Sequence, residues 1–241
     1  MEGNSGGEAV DVPVIDEATR QLRAPWAASV AGILFAVLFT AGLVLMRSQA
    51  MFAADDAELA RLFAAGEDLP ALVGGLYLAP FAGIMFLWFI AVIRDQLGER
   101  EDRFFATVFF GSGLLFVALV FVAAAVESAS IVSVRYLGQA PPTASLIAVL
   151  RALSYTLLFA FATRSAAVFL VSAATIGVRS GAFPRWFAAT GYVVAAVLFV
   201  VVTFWDWTIL LLPGWVGIVS VFLLRREFSL RGAATTRGSA G

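Results

Sequence analysis

Long apolar runs separated by short polar segments divide the chain from Trp26 onward. Each run is about as long as the roughly 20 residues that an α-helix needs to cross a bilayer. The runs do not alternate apolar and polar residues as half-buried strands do. We therefore predict an all-α fold, a polytopic membrane helical bundle with six transmembrane helices. The predicted spans are residues 26–46, 72–93, 104–126, 144–178, 186–204 and 208–224.

The fourth run is too long for one span. At a rise of 1.5 Å per residue, a helix over 144–178 would extend roughly 50 Å, beyond a hydrocarbon core of about 30 Å. Gly138 can end the preceding helix and Thr143 can cap the next one. Spans three and four therefore form a hairpin that either projects from the membrane or tilts strongly. A break near Arg164 is the third alternative.

The distribution of arginines predicts the orientation. With the N-terminus inside, the inner segments hold eleven arginines and the outer loops three, which is the bias of cytoplasmic loops. We expect both termini in the cytoplasm and the protein in the cell membrane, as a bacterial inner-membrane protein. The acidic start lacks the short basic segment of a secretory signal. The predicted parts are a disordered cytoplasmic leader (1–25), the bundle (26–226) and a disordered cytoplasmic tail (227–241).

The first outer loop contains a predicted short amphipathic helix. Asp55 followed by Glu58 resembles a capping box, and Gly66 is a suitable stop. Such a helix is either a lid over the mouth of the bundle or a surface helix that only completes the connection. Its apolar face consists of Leu59, Leu62 and Phe63.

The amino-acid composition limits the cofactors and the catalytic chemistry that can be expected of this chain. The chain is 61% hydrophobic and 14% charged, and it contains no Cys and no His; all its basic residues are Arg. Zinc and haem sites draw mainly on Cys and His, so we expect no cofactor. Acid–base and nucleophilic catalysis usually needs His, Lys or Cys, so Ser112 within "GSG" has no activating base and we expect no enzyme. The net charge of −1 gives no reason to expect nucleic acid as a partner.

Two charged residues inside predicted spans are expected to meet. Around a turn centred near residue 140, Glu127 lies thirteen residues before the centre and Arg151 eleven after it. The two side chains would then lie at similar depth near the outer boundary. Because charges inside a membrane usually pair or face a cavity, we predict a Glu127–Arg151 ion pair that joins spans three and four.

Arg164 lies about 20 Å further along the same predicted helix. It either reaches the cytoplasmic headgroups or pairs with Asp95 or Glu99, just inside span two. The functional alternative is an anion site or a polar path. The residues that would line such a path with Arg164 are Tyr155, Thr156 and Ser165.

Small residues recur at intervals of about four in three spans, a pattern that lets helix backbones approach closely. The stripes serve either packing within the chain or contact between two copies of it. They are Gly32, Ala36 and Thr40 in span one, Gly75, Ala79 and Gly83 in span two, and Ala144, Ala148, Ala152, Thr156 and Ala160 in span four.

One segment carries a family resemblance. The stretch "LYLAPFAGIMFLWFIAVIRDQLGEREDRFFATVFFGSGLLFVA", residues 76–118, resembles a family of small multi-pass bacterial membrane proteins. The charged portion "RDQLGEREDRFFATVF" is its specific part. The resemblance implies location and topology and transfers no catalytic residue.

Three functional classes follow from these observations. The first is a non-catalytic bundle that acts in the lipid bilayer through a membrane-protein partner or as a homo-oligomer. The second is a permease or channel component for a small solute or ion, with a polar path along spans three and four. The third is a lipid-acting enzyme, which is disfavoured because this chain lacks the usual proton-transfer residues. A dry core with an exposed face of small residues favours the first class, and a continuous wet cavity that reaches Arg164 favours the second.

Overall fold

The computed structural model describes residues 25–47, 55–97, 103–179, 185–201 and 207–238. All regular elements in these ranges are helical, which confirms the predicted all-α class. Two segments are π-helical and are called π1 and π2. In chain order the elements are α1 Pro25–Arg47, α2 Asp56–Ala65, α3 Leu69–Val73, π1 Gly74–Leu78, α4 Ala79–Leu97, α5 Arg103–Arg135, α6 Ala144–Tyr155, π2 Thr156–Ala162, α7 Thr163–Arg179, α8 Arg185–Val200, a 3₁₀ turn Thr208–Leu210 and α9 Leu211–Gly238.

Several helices are long and apolar enough to cross a membrane, which makes this a membrane protein. Five such helical stretches occur in the described ranges, whereas α8, the predicted fifth span, is apolar but has only 16 residues. The five stretches are Trp26–Arg47, Leu69–Arg94, Phe104–Arg135, Ala144–Arg179 and Thr208–Arg225.

The hairpin of spans three and four has the predicted turn. Gly138 has a φ of +64°, in the left-handed region that ends helices. Thr143 caps α6, because its side chain accepts a hydrogen bond of 3.3 Å from the backbone N–H of Leu146. The overlong helix beyond it runs without a break from α6 through π2 into α7, and π2 ends at Ala162, two residues before Arg164.

The two ends of the chain differ in what the structure describes. Residues 1–24 of the predicted leader lie outside the described residues, and α1 begins at Pro25, where the missing proline N–H costs nothing. At the other end α9 is helical as far as Gly238, over residues where the sequence predicts a disordered tail from 227 onward. Pro213 lies in the first turn of α9, so it needs no helical partner and introduces no interior kink.

Neighbouring long helices run antiparallel. Phe35 of α1 packs against Phe86 of α4 with ring centroids 4.5 Å apart, whereas the end of α1 meets the start of this span at Gly74. The start of α1 likewise meets the C-terminal half of the apolar part of α9, where Gly32 lies against Ser220. α1 is therefore antiparallel to both α4 and α9, and Pro25 and Arg225 lie towards the same end of the bundle.

Phenylalanine rings fill the centre of the bundle. The ring of Phe86 contacts Phe116 of α5 and Phe169 of α7, with centroids 5.4 and 5.0 Å apart. Phe169 in turn stacks on Phe109 at 4.7 Å. Burial of such rings and their mutual contacts stabilise the interior, and they bring α1, α4, α5 and α7 around one apolar core.

The predicted loop helix is present and packs on the end of the hairpin. The Asp55 carboxylate accepts a 2.8 Å hydrogen bond from the N–H of Glu58, and Gly66 ends α2 with a φ of 78°. A second core joins α2 and the start of α3 to α5 and α6, so α2 covers one end of the bundle. Its buried members are Leu59, Phe63, Ala71, Leu72, Ile131 and Ile147.

Candidate functional site

The charged side chains of spans three and four gather around Glu127, in the last third of α5. Ser154 of α6 is fully buried, and its hydroxyl donates a 2.9 Å hydrogen bond to Glu127 Oε2. Arg151, one turn earlier on α6, acts on the carboxylate electrostatically, and so does Arg47 at the end of α1. The structure therefore brings Glu127 and Arg151 to one place, as the hairpin geometry predicts. The ion pair itself stays a prediction.

Arg47, at the end of α1, also contacts two aromatic residues that follow Arg151 and Ser154 in the chain. Its guanidinium carbon lies 5.0 Å from the ring centroid of Tyr155 and 5.1 Å from that of Phe159. The two rings lie 5.2 Å apart. A guanidinium within about 6 Å of a ring face is attracted by its quadrupole, more strongly when water is excluded. Tyr155 therefore contacts Arg47, and its place in a path with Arg164 stays a prediction.

We call Arg47, Glu127, Arg151, Ser154 and Tyr155 the Glu127 cluster. It joins three predicted spans, because Arg47 lies on α1, Glu127 on α5, and the other three on α6. With both guanidiniums and the carboxylate ionised it carries one excess positive charge. Such a cluster holds helices in register, and it also has the chemistry to attract an anion that reaches it from the surface.

Arg164 is separate from the Glu127 cluster and binds its own helix. Its Nη1 donates hydrogen bonds of 2.6 Å to the carbonyl of Phe159 and 2.9 Å to that of Ala160. Within a π-helical turn the i to i+4 bonding pattern is replaced, and carbonyls of π2 turn to the guanidinium. Thr163 Oγ1, 3.3 Å away, is a further contact. The half-buried charge of Arg164 is thereby satisfied locally.

The predicted counterions of Arg164 cannot be placed beside it. Asp95 lies in α4, but its side chain is outside the described residues, and Glu99 lies outside them altogether. Thr156 and Ser165, the other predicted path residues, donate to backbone carbonyls of their own helix, at Ala152 and Phe161. Pairing of Arg164 with Asp95 or Glu99 stays a prediction.

A second charged contact ties α2 and α3 to the hairpin. Arg135, the last residue of α5, donates from Nε and Nη2 to the two carboxylate oxygens of Asp68, the former at 2.9 Å. Nη2 also donates to the carbonyl of Phe63 at 2.6 Å. The Asp68 side chain is almost fully buried. A bidentate arginine–carboxylate pair is strong and geometrically specific, so it fixes the position of the loop helix.

Three functional contacts were not predicted from the sequence. They are the contact of Arg47 with Tyr155, the hydrogen bond from Ser154 to Glu127, and the pairing of Asp68 with Arg135. Asp68 stands before α3 but makes no capping hydrogen bond there. The register of the hairpin is the one sequence signal for the Ser154 contact. If Glu127 pairs with residues 151–155, Ser154 also comes within reach of the Glu127 carboxylate.

The described residues contain no group of three or more His, Cys, Asp or Glu that could hold a metal ion. No family model, no curated protein and no solved structure matches the chain. The geometry of the described residues therefore carries the functional argument.

Proposed function

We propose that this protein is a six-span membrane protein of the bacterial inner membrane, with both termini cytoplasmic. In this proposal it acts without catalysis, by associating with a second copy of itself or with another membrane protein. Five apolar helices and the shorter α8 supply the spans. The resemblance of residues 76–118 to small multi-pass bacterial membrane proteins supports the location.

The antiparallel packing supports the topology. Alternating helices place the segments rich in arginine at one end of the bundle and α2 with the hairpin turn at the other. Trp26, Trp88 and Trp186 are all exposed, at 49%, 63% and 58%, and lie near the arginine-rich end. Exposed tryptophans are typical of the boundary between lipid and water, and arginines at that end favour a cytoplasmic location.

The observation that carries the proposal of association is the exposed stripe of small residues on span four. The stripes of spans one and two are used inside the chain, since Gly32 lies against Ser220 and Gly75 against Ser128. On span four, by contrast, Ala148, Ala152 and Thr156 are exposed. Small residues at four-residue intervals on a lipid-facing helix permit close contact with another helix.

The natural absence of cysteine permits a direct test. We expect Ala152→Cys in native membranes to form a disulfide-linked dimer on mild oxidation, or a covalent adduct with one membrane protein. Ala118→Cys, at an exposed alanine of α5, is the matched control and should cross-link much less. Equal cross-linking at both positions, or none at Ala152→Cys with full membrane insertion, contradicts association through span four.

A permease or channel component for a small solute or ion is the second candidate. It is favoured by the Glu127 cluster, which places two arginines and a glutamate where spans one, three and four meet. The packed phenylalanine core weighs against a path through the middle of the described helices. Ser154→Cys distinguishes the two candidates, because the Ser154 side chain is fully buried. Rapid modification by a charged, water-soluble thiol reagent indicates a wet path, whereas protection supports the dry bundle.

A further inference from the structure

An open groove runs along the lipid-facing side of α9, bordered by α1 and α8. Its volume is about 670 Å³, and apolar or small residues dominate its lining. Gly214 and Gly217 of α9 keep it open, and Ala36 of α1 lies beside Gly217. All residues that line the groove are described, and it is distinct from the Glu127 cluster and from the span-four stripe.

The groove has different chemistry at its two ends. At one end Arg225, an exposed guanidinium, and the indole of Trp186 line it. Trp186 packs edge-on against Phe222, with ring centroids 6.3 Å apart, so the start of α8 and this part of α9 lie together. At the other end the lining residues are Leu210, Pro213 and Thr40, with no charge.

The length of the groove matches one phospholipid. The fifteen residue-to-residue steps from Leu210 to Arg225 correspond to about 22 Å of helix at 1.5 Å per residue. One leaflet, half of a bilayer of about 40–45 Å including headgroups, is about 20–22 Å thick. A transmembrane helix of a partner would meet a water boundary at both of its ends, whereas this groove has a charged and aromatic boundary at one end alone.

The charge at the Arg225 end selects the headgroup. Arg185 is exposed at the start of α8, next to Trp186, which lines the groove. Basic clusters between membrane helices attract anionic headgroups, and each arginine near a charged membrane surface contributes about 1 kcal/mol. We propose that the groove binds one anionic phospholipid, its phosphate at Arg225 and an acyl chain along Gly217 and Gly214.

The test uses the full chain reconstituted in phosphatidylcholine vesicles that contain increasing fractions of brominated phosphatidylglycerol. Bromine on the acyl chain quenches tryptophans that it touches, and Trp186→Phe isolates the part of the signal that comes from Trp186. We expect the quenching of Trp186 to be half-maximal at a lower mole fraction of brominated phosphatidylglycerol than of brominated phosphatidylcholine. Arg225→Gln should raise the half-maximal mole fraction of brominated phosphatidylglycerol about fivefold. Arg225→Lys should return it to the value of the unchanged protein.

A second pair of variants tests the acyl-chain part. A Cβ at Gly214 meets nothing within 4 Å, and the same holds at Gly111 on α5, outside the groove. Gly214→Leu places an apolar side chain in the groove, with its Cβ free of contacts, and should abolish the preference of Trp186 for the anionic lipid. Gly111→Leu adds the same side chain elsewhere and should leave that preference unchanged.

Two results would overturn the proposal. Equal quenching of Trp186 by the anionic and the zwitterionic lipid, unaffected by Arg225→Gln, means that the groove selects no headgroup. Cross-linking of two chains through Ile218→Cys, at an exposed residue of the groove, means that a second copy occupies it. Neither result depends on whether Ala152→Cys cross-links, so the lipid site and association through span four are tested separately.

Discussion

Gly74, the first residue of π1, lies at the closest approach between span two and α1. A Cβ added there would lie 2.7 Å from the carbonyl oxygen of Gly42, 2.9 Å from Met46 Cγ and 3.1 Å from the Met46 nitrogen. Two of these three atoms belong to the backbone of α1, so no rotamer change relieves the contact. Gly74→Ala must separate the two helices, and we predict that it destabilises the fold.

The size of the effect follows from two opposing contributions. Overpacking of a tight contact costs about 1–3 kcal/mol, whereas Ala in place of Gly within a helix contributes up to about 1 kcal/mol of stability. The net loss for Gly74→Ala therefore lies between about 0 and 3 kcal/mol, and we take the middle of that range, about 1–2 kcal/mol. At Gly111, where the Cβ meets nothing within 4 Å, only the favourable contribution applies, so Gly111→Ala should be neutral or stabilising.

The assay is thermal unfolding of the detergent-purified protein, followed by the fraction that remains monodisperse on size-exclusion chromatography. With about 2–4 °C per kcal/mol for a chain of this size, Gly74→Ala should lower Tm by about 2–8 °C. Gly111→Ala should raise it by up to about 4 °C. If both variants shift Tm equally and in the same direction, close helix approach at Gly74 is refuted.

Three further predictions concern the polar contacts. Asp68→Asn weakens the contact with Arg135, so limited trypsin digestion should cleave after Arg61 of α2 several-fold faster. Glu67→Gln, at the exposed neighbouring residue, is the control and should not change the rate of cleavage. Ser154→Ala removes a hydrogen bond to a carboxylate, which is worth about 1.5–3 kcal/mol, and should lower Tm; an unchanged Tm refutes this role. Arg164→Met leaves carbonyls of π2 without their donor, so hydrogen exchange measured by mass spectrometry should rise in 156–168; unchanged protection contradicts the observed bonding.

Local chemistry made parts of the fold predictable from the sequence. Asp55 and Thr143 accept from backbone N–H groups three residues ahead, and Gly66 and Gly138 adopt positive φ at helix ends. Each of these features is decided by a few adjacent residues. The apolar runs were equally informative, because bilayer thickness sets their length.

Contacts between distant segments were harder to predict. Arg135 and Asp68 are 67 residues apart in the chain, and their pairing replaces the capping bond that local chemistry favours at Asp68. Arg47 reaches the rings of Tyr155 and Phe159 because the end of α1 lies close to the junction of α6 and π2. The π2 sequence "TLLFAFA" contains neither Gly nor Pro, so nothing in it distinguishes a π-helical turn from an α-helical one.

The extra residue in the turn of π2 changes the angular phase of everything that follows it in the helix. Each residue of an α-helix advances roughly 100° around the axis, so positions four apart drift by roughly 40° at each step, and a π-helical turn changes that drift for every residue beyond it. Ala148 and Ala152 face outward, whereas Ala160 and Arg164, on the same four-residue series, are half-buried. The continuous helix from α6 to α7 thus exposes this series of positions in its first half and packs the series against neighbouring helices in its second half. Deleting a single residue from π2 would rotate the two halves relative to each other by roughly 100° and move the Arg164 guanidinium away from its present surroundings.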